Sequence, residues 1–328
     1  MHSMNPSLDL SLVVPLYNES DSLVELKAWI DRVLVERSYE VIFVDDGSKD
    51  NSWEIIEQLN AADPDRVRGI RFSRNYGKSA GLQKGFEAAR GRIVITMDAD
   101  LQDSPEEILG MERMIWDEEY DLVSGWKKKR HDPLSKTIPT RLYNAATRWV
   151  SGIALHDFNC GLKAYRLEVV KAIEVQGEMH RYIPILAKDA GFNRIGEKVV
   201  QHQSRKYGTT KFGMERFMNG FLDLMTIGFM SRFSRKPMHF FGALGVLLFS
   251  LSFLGFALIA GNKVWAMTQG IHARNITELS EFYLALVGMV MGLQFFLTGF
   301  LAEMTSRTDS SRRDYQVSKQ IGRPNLED

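Results

Sequence analysis

The sequence predicts an α/β domain on a mostly parallel, doubly wound sheet, then interfacial amphipathic helices and a C-terminal two-helix transmembrane hairpin. Three observations carry this. Apolar, strand-length runs alternate with amphipathic stretches over residues 10–125. Two uncharged runs, residues 240–261 and 282–302, follow in tandem. Between these regions lies a basic block, residues 203–236, with seven Lys and Arg against Glu215 and Asp223.

Residues 10–15 form a short apolar run, and Leu23, Leu26, Ile30, Val33 and Leu34 then recur at helical spacing, with Ser20 or Ser22 as the expected N-cap. Residues 39–44 are β-branched and apolar, and stop at Asp45-Asp46-Gly47-Ser48. Trp53, Ile56 and Leu59 mark the next helix, residues 67–72 a strand, 78–89 a helix, and 93–97 a buried strand ending at Asp98. Ser104-Pro105-Glu106-Glu107 reads as a helix start, with proline in the first turn and acids facing the helix dipole. Residues 122–125 form the next strand. Strands and helices alternating in this way give a parallel sheet covered on both faces, with ligands beyond the carboxyl ends of its strands.

The 328 residues hold 41 Lys and Arg against 41 Asp and Glu, a formal net charge of zero. That sum hides a net of −5 over residues 1–202, from 27 basic and 32 acidic groups, and +5 over 203–236. The composition excludes a disordered chain, a collagen and a disulfide-stapled scaffold, and neutrality argues against a nucleic-acid binder. A single cysteine, Cys160, fits a reducing compartment.

At about 1.5 Å per residue, each uncharged run is long enough for a hydrocarbon core of about 30 Å. Arg232, Arg235 and Lys236 precede the first run and Arg307, Arg312 and Arg313 follow the second, whereas the loop between them balances Lys263 and Arg274 against Glu278 and Glu281. By the positive-inside rule both termini are cytoplasmic and the chain is a multi-pass protein of the cytoplasmic membrane. The first residues lack the basic and apolar regions of a signal peptide. Large apolar side chains in residues 211–233, among them Phe212, Phe217, Phe221 and Phe229, suit helices lying in the headgroup region. Gly288 and Gly292 form a GxxxG pair that packs the second span on another helix, within the hairpin or between subunits. The expected divisions are a catalytic domain at 1–205, a juxtamembrane segment at 206–238, the hairpin at 239–303 and a cytoplasmic tail at 304–328.

Acidic residues occupy the expected strand ends: Asp45 and Asp46 close the second strand, and Asp98-Ala99-Asp100 the fourth. Glycine-rich phosphate loops of the GxGxxG or GxxxxGK[ST] type are absent. A bound diphosphate therefore needs a metal and basic side chains. Asp98 and Asp100, with Gln102 nearby, offer hard oxygen ligands suited to Mg²⁺ or Mn²⁺ bridging a diphosphate. Asp45 is placed for a nucleobase or ribose, or is simply the turn residue of Asp-Gly-Ser.

Pro15-Leu16-Tyr17-Asn18-Glu19, Val44-Asp45-Asp46-Gly47-Ser48-Lys49-Asp50, Arg74-Asn75-Tyr76-Gly77-Lys78 and Met97-Asp98-Ala99-Asp100-Leu101-Gln102 occur in that order. With Ser124-Gly125-Trp126-Lys127, residues 157–163 and residues 205–211, the chain resembles the family 2 glycosyltransferases of GT-A fold. Within them it is most similar to the polyprenyl-phosphate hexosyltransferases, the group of dolichyl-phosphate mannose synthase and the bactoprenol glucosyltransferases. The resemblance spans nearly the whole chain. It implies nucleoside contacts from Pro15, Tyr17, Glu19 and Asp45, and a metal and diphosphate site at Asp98, Asp100 and Gln102. It also implies donor contacts from Lys78 and Lys127, an active-site acid at Asp157, and phosphate-clamping residues at Arg205 and Lys211. Arg141 is a candidate for the acceptor phosphate. Asp100, Asp157, Arg205 and Lys211 form the expected catalytic set. The partners implied are a nucleotide sugar, UDP-glucose or a related UDP-hexose ahead of GDP-mannose, and undecaprenyl phosphate, with self-association into an oligomer such as a tetramer.

A processive polysaccharide synthase is disfavoured: Arg148-Trp149 is preceded by Ala145, where a QxxRW motif needs glutamine. A non-catalytic, membrane-anchored nucleotide-sugar-binding scaffold would have no need for the Asp98/Asp100 and Arg205/Lys211 pairs. The run Lys127–Arg130 reads most simply as exposed charge.

Overall fold

The structure, a computed structural model, describes residues 8–128, 144–149, 151–177, 179–201, 203, 237–270, 274–308 and 317–321. The described residues fall into two compact units, one comprising 8–203 with 317–321 and the other 237–308. The expected juxtamembrane segment, with Arg205 and Lys211, lies outside the described residues, as does Arg141.

The first unit opens with four repeats of strand and helix: β1 (Leu10–Leu16), α1 (Ser20–Val33), β2 (Tyr39–Asp45), α2 (Ser52–Ala62), β3 (Val67–Phe72), α3 (Lys78–Ala88), β4 (Ile93–Thr96) and α4 (Glu107–Trp116). Then come β5 (Leu122–Trp126), β6 (Lys163–Arg166), α5 (Leu167–Ala172), α6 (Ile183–Asp189), β7 (Ile195–Val199) and, far along the chain, β8 (Val317–Ile321). The sheet order is β7-β5-β6-β4-β1-β2-β3-β8. Strands β4, β1, β2 and β3 are mutually parallel, whereas β6 is antiparallel to β4 and β5, and β8 is antiparallel to β3. The sheet is thus mixed, with the expected doubly wound half at its centre.

Both faces are covered, so the central strands carry unbroken apolar runs rather than an alternation. All of β2 is buried. Leu12, Val14, Val41 and Phe43 pack towards α1 and α2, and Val13, Ile42, Val44 and Val94 towards α3. Inside this sheet sits one charged cluster: Glu40, on β2, accepts from Ser11 Oγ at 2.7 Å and pairs with Arg68 at 3.0 Å and Arg90 at 2.6 Å.

Three local expectations need correction. No serine side chain caps α1: Glu19 holds the cap position, and the Glu19 and Ser20 N–H groups donate instead to Ser52 Oγ and Asp50 Oδ2, both at 3.1 Å. The chain turns at Ser104–Glu106, where the Glu107 N–H donates to the Ser104 carbonyl oxygen at 3.2 Å, before α4 begins at Glu107. Beyond the second apolar helix the chain returns a strand, β8, to the sheet edge, where Ile321 packs beside Gly69.

The second unit is a helical hairpin, α7 (Pro237–Thr268) and α8 (Ser280–Thr308). Both are long and apolar enough to cross a membrane. They expose large apolar side chains such as Leu247, Leu251, Leu258, Leu284, Leu293 and Leu301, a surface unsuited to water. The GxxxG pair acts within the hairpin: a Cβ on Gly292 would lie 2.6 Å from the Phe249 backbone nitrogen and 2.8 Å from the Gly245 carbonyl oxygen. Gly292→Leu is therefore expected to push the helices apart and destabilise the hairpin by about 1–3 kcal/mol, read as a lower thermal midpoint of the full chain in detergent.

Candidate active site

Four loops meet at the carboxyl ends of β1, β2, β3 and β4, and side chains on each loop hold the next. After β1, the Asn18 N–H donates to Ser48 Oγ at 2.9 Å and Asn18 Oδ1 accepts from the Lys49 N–H at 2.8 Å. Asn18 adopts a positive φ of 57° to do so, a conformation asparagine tolerates. After β2, Asp46 accepts from the backbone N–H groups of Tyr76 at 2.6 Å and Gly77 at 2.8 Å. Burial and the neighbouring Asp45 raise the Asp46 pKa even against these two donors. At Gly47 the two loops touch backbone to backbone: φ is 71°, and a Cβ would fall 2.7 Å from the Arg74 carbonyl carbon. The loop begun at Arg74 leads into α3, whose first residue, Lys78, pairs with Asp98 beyond β4. Asp98 in turn packs on Gly161, where a Cβ would be 2.6 Å from Asp98 Oδ2.

The electrostatics concentrate on Asp98. Burial opposes its ionisation, but Lys78, with further help from Lys127 and Lys163, lowers its pKa to about 2. The carboxylate remains one-third exposed, at 33%. Asp100 Oδ1 accepts from the Gln102 N–H at 3.2 Å. Leu101 between them has a φ of 61°, strain of about 1–3 kcal/mol for a residue with a Cβ.

The other expected residues are placed as follows. Tyr17 is exposed, and Pro15 lies on β1 with its Cβ 3.1 Å from the position a Cβ would take on Gly81. Asp45 is buried: Oδ1 accepts from the Ser48 N–H at 2.8 Å, and Oδ2 lies 3.3 Å from Arg71 Nε without a hydrogen bond. The turn role therefore holds for one oxygen, while the other retains capacity to accept. Lys127 departs from the expected exposed run. Its side chain is 13% exposed and reaches the fully buried Asp103 at 2.7 Å, an ion pair that raises its pKa although burial opposes this. Asp157 is buried, its Oδ1 accepting from the Asn159 N–H at 3.1 Å. Cys160 packs against Gly125, and burial pushes its thiol up to about 12, out of reach of nucleophilic use.

Beside the Lys78–Asp98 pair lies a cavity of about 180 Å³. Its lining includes Asn159, Lys163, Tyr165, His180 and Arg181, which the sequence analysis did not single out. Burial, then Lys78, Arg181 and Lys163, lower the His180 pKa to about 3. The imidazole is neutral at physiological pH, with Nδ1 3.1 Å from Ser79 Oγ. The signal for Asp46 and Lys163 was present in the quoted motifs, whereas His180 and Arg181 have no motif around them.

Among the described residues no group of three or more His, Cys, Asp or Glu is arranged to hold a metal. The oxygen donors at the end of β4 nevertheless fit a hard divalent cation that takes one or two carboxylates and completes its shell from donor phosphates and water. Asp98 is ionised, accessible and beside Asp100 in sequence.

Residues 11–174 match the family model for glycosyl transferase family 2. The chain belongs to that family. The dodecaprenyl-phosphate galacturonate synthase of Rhizobium johnstonii is 36% identical over 306 residues, covering 92% of this chain and 89% of that protein. The undecaprenyl-phosphate 4-deoxy-4-formamido-L-arabinose transferase of Pseudomonas aeruginosa is 35% identical over 311 residues, 93% of this chain and 87% of its own length. In fold, the chain is similar to glucosyl-3-phosphoglycerate synthase from Mycobacterium tuberculosis, a structure with Mn²⁺, UDP-glucose and phosphoglyceric acid. The TM-score is 0.51 at 19% identity, covering 69% of this chain and 80% of the other. The first unit thus has the GT-A type of family 2 fold that the ordered motifs implied.

Proposed function

We propose that this protein transfers one hexose from a nucleotide sugar, UDP-linked in preference to GDP-linked, to a polyprenyl phosphate such as undecaprenyl phosphate at the cytoplasmic membrane face. The observation that carries the reading is that four ordered motif loops are linked one to the next at the sheet's carboxyl edge, ending at the Lys78–Asp98 pair. The relatives that align along nearly the whole chain, whose names describe transfer of sugars to polyprenyl phosphates, support it.

The reaction is a single inverting displacement at the anomeric carbon by a phosphate oxygen of the acceptor. A phosphate monoester has a second pKa of about 6, so the nucleophile is already ionised near neutrality and needs no strong base. Asp157, buried with Oδ1 accepting from the Asn159 N–H, is then assigned to orienting the sugar rather than removing a proton. The protein's task is to place two anions in line and offset their charge. Lys78 stands at the Asp98 carboxylate for this, and Arg141, Arg205 and Lys211 are assigned to the acceptor phosphate by the family resemblance. Pro15, Tyr17, Glu19 and Asp45 take the nucleoside, and Asp98, Asp100 and Gln102 would hold the divalent cation. That cation, Mg²⁺ or Mn²⁺, supplies Lewis-acid neutralisation of the leaving diphosphate.

The sheet supports the topology read from the flanking charges. Strand β3 precedes the hairpin in sequence and β8 follows it, yet the two are paired. A chain that begins and ends in one sheet crosses a membrane an even number of times between them, which suits two spans with both flanks on the cytoplasmic side.

The test is turnover by the full chain in detergent, with undecaprenyl phosphate and a panel of UDP- and GDP-sugars. Nucleoside diphosphate release that requires both the lipid phosphate and a divalent cation is the expected result. Sugar-nucleotide binding without turnover of any donor would instead make the protein a scaffold.

A further inference from the structure

Lys78 meets Asp98 from the first residue of α3, and the chain enters that helix through Gly77. The Gly77 carbonyl oxygen accepts the first helical bonds, from the Ala80 N–H at 3.1 Å and the Gly81 N–H at 3.3 Å. Its φ is 94°, and no side chain among the described residues caps the helix, so α3 does not fix its own direction of entry. The loop after β2 sets it instead. Asp46 Oδ1 accepts from the Tyr76 N–H at 2.6 Å and Oδ2 from the Gly77 N–H at 2.8 Å. Bonds to two consecutive peptides, one from each carboxylate oxygen, fix the orientation of this joint as well as its place. Asp46 is itself held. It is 5% exposed, its N–H donates to the Leu16 carbonyl oxygen at 2.9 Å, and the next residue, Gly47, is pressed on the Arg74 backbone. A continuous path therefore runs from the end of β1 through Asp46 and the 76–77 peptides to the Lys78 ammonium at Asp98. Asp46 is none of the residues assigned above to donor, acceptor or cation.

We propose that Asp46 is a positioning residue for sugar transfer: by holding the 76–77 peptides it sets the Lys78 ammonium at the Asp98 end of the site, where the donor diphosphate is neutralised. This rests on the reading of the chain as a sugar transferase and names a residue that acts on the donor through Lys78. A displacement of about 1 Å at a group that orients a reactant is enough to cost on the order of a hundredfold. Asparagine at this position keeps the size of the side chain but turns its amide NH2 toward one of the two peptide N–H groups. One bond is then lost and two donors face each other.

The experiment compares wild type, Asp46→Asn, Lys78→Met and the double variant, each as the full chain in detergent. Undecaprenyl phosphate is the acceptor, and the donor is the sugar nucleotide of the UDP and GDP panel that wild type turns over. Asp46→Asn is expected to lower kcat/KM for the donor about 10- to 100-fold, while the KM for lipid phosphate stays within about twofold. Lys78→Met is expected to lose at least as much. The double variant should lose no more than about twofold beyond Lys78→Met alone, because the route through Lys78 is already cut. Losses that multiply in the double variant, or Asp46→Asn with wild-type kinetics, would overturn the proposal while leaving sugar transfer intact. Gly77→Ala covers the case in which Asp46→Asn does not fold. A Cβ there meets nothing within 4 Å but is strained at a φ of 94°, so it disturbs the same joint without crowding the core. Its loss too should vanish in the Lys78→Met background, and multiplied losses there would also overturn the proposal. Product from no donor with wild-type protein would overturn the transferase reading and this role together.

Discussion

Asp98→Asn is expected to lower kcat/KM for sugar transfer by on the order of a hundred- to a thousandfold, and Asp100→Asn to do the same, with little change in thermal midpoint. Asparagine keeps the shape that packs over Gly161 but removes the charge that Lys78 and its neighbours hold ionised. In Asp98→Asn an amide faces the Lys78 ammonium, so both the cation site and the position of Lys78 are lost together. The donor KM should rise in both variants, whereas the KM for lipid phosphate should move less, because the role proposed for these acids is on the donor side of the reaction. Steady-state kinetics with each substrate varied in turn, alongside a thermal melt, checks this. An Asp98→Asn enzyme with wild-type kcat/KM would remove the β4 end from the chemistry.

The largest stability effect is expected at Glu40→Ala, about 3–5 kcal/mol of destabilisation. Glu40 is fully buried and bridges Ser11, Arg68 and Arg90, and Arg68 is itself 4% exposed. Without the carboxylate, Arg68 would stay buried with the Ala88 carbonyl oxygen, at 2.8 Å, as its remaining partner here. The pH dependence follows from the direction of the shift. Burial opposes ionisation of Glu40, but its bonds to Arg90 and Ser11 and the charge of Arg68 outweigh it and lower the pKa. The ionised group's contribution is therefore fully present above the unfolded-state value of about 4.3. It is lost as pH falls through the lower folded-state value. Thermal melts from pH 7 down to pH 3 should show the difference between wild type and Glu40→Ala shrinking at the acid end. A constant difference across that range would mean the loss comes from packing and not from charge.

The strands around β1 were legible because burial on both faces forces long apolar runs, and a run of β-branched residues ending in acids is hard to mistake. Lys78, Asp98 and Asp100 were legible for a related reason: each sits in a short contiguous motif at a strand end. The same locality explains the misses. Strand β8 is five residues that pair with the edge of β3, a partner nearly 250 positions earlier. His180 and Arg181 reach the cavity through the packing of the 180–183 segment against α3, and a single polar residue carries no period that would announce this. Lys127 looked like surface charge because its partner, Asp103, is recognisable as buried only once β5 is laid beside the loop that follows β4. The cap of α1 went wrong for the opposite reason. Local serine chemistry was available, but side chains from the loop after β2 took the same N–H groups.

The central claim is that one sugar is joined to a lipid phosphate. Mass spectrometry of the lipid fraction after incubating the full chain with undecaprenyl phosphate and the UDP-sugar panel tests it most directly. The predicted product is the lipid phosphate increased in mass by a single sugar residue, linked through the phosphate and formed only with a divalent cation present. A lipid carrying a chain of sugars, a sugar phosphate in place of a sugar, or no addition while UDP accumulates would contradict it.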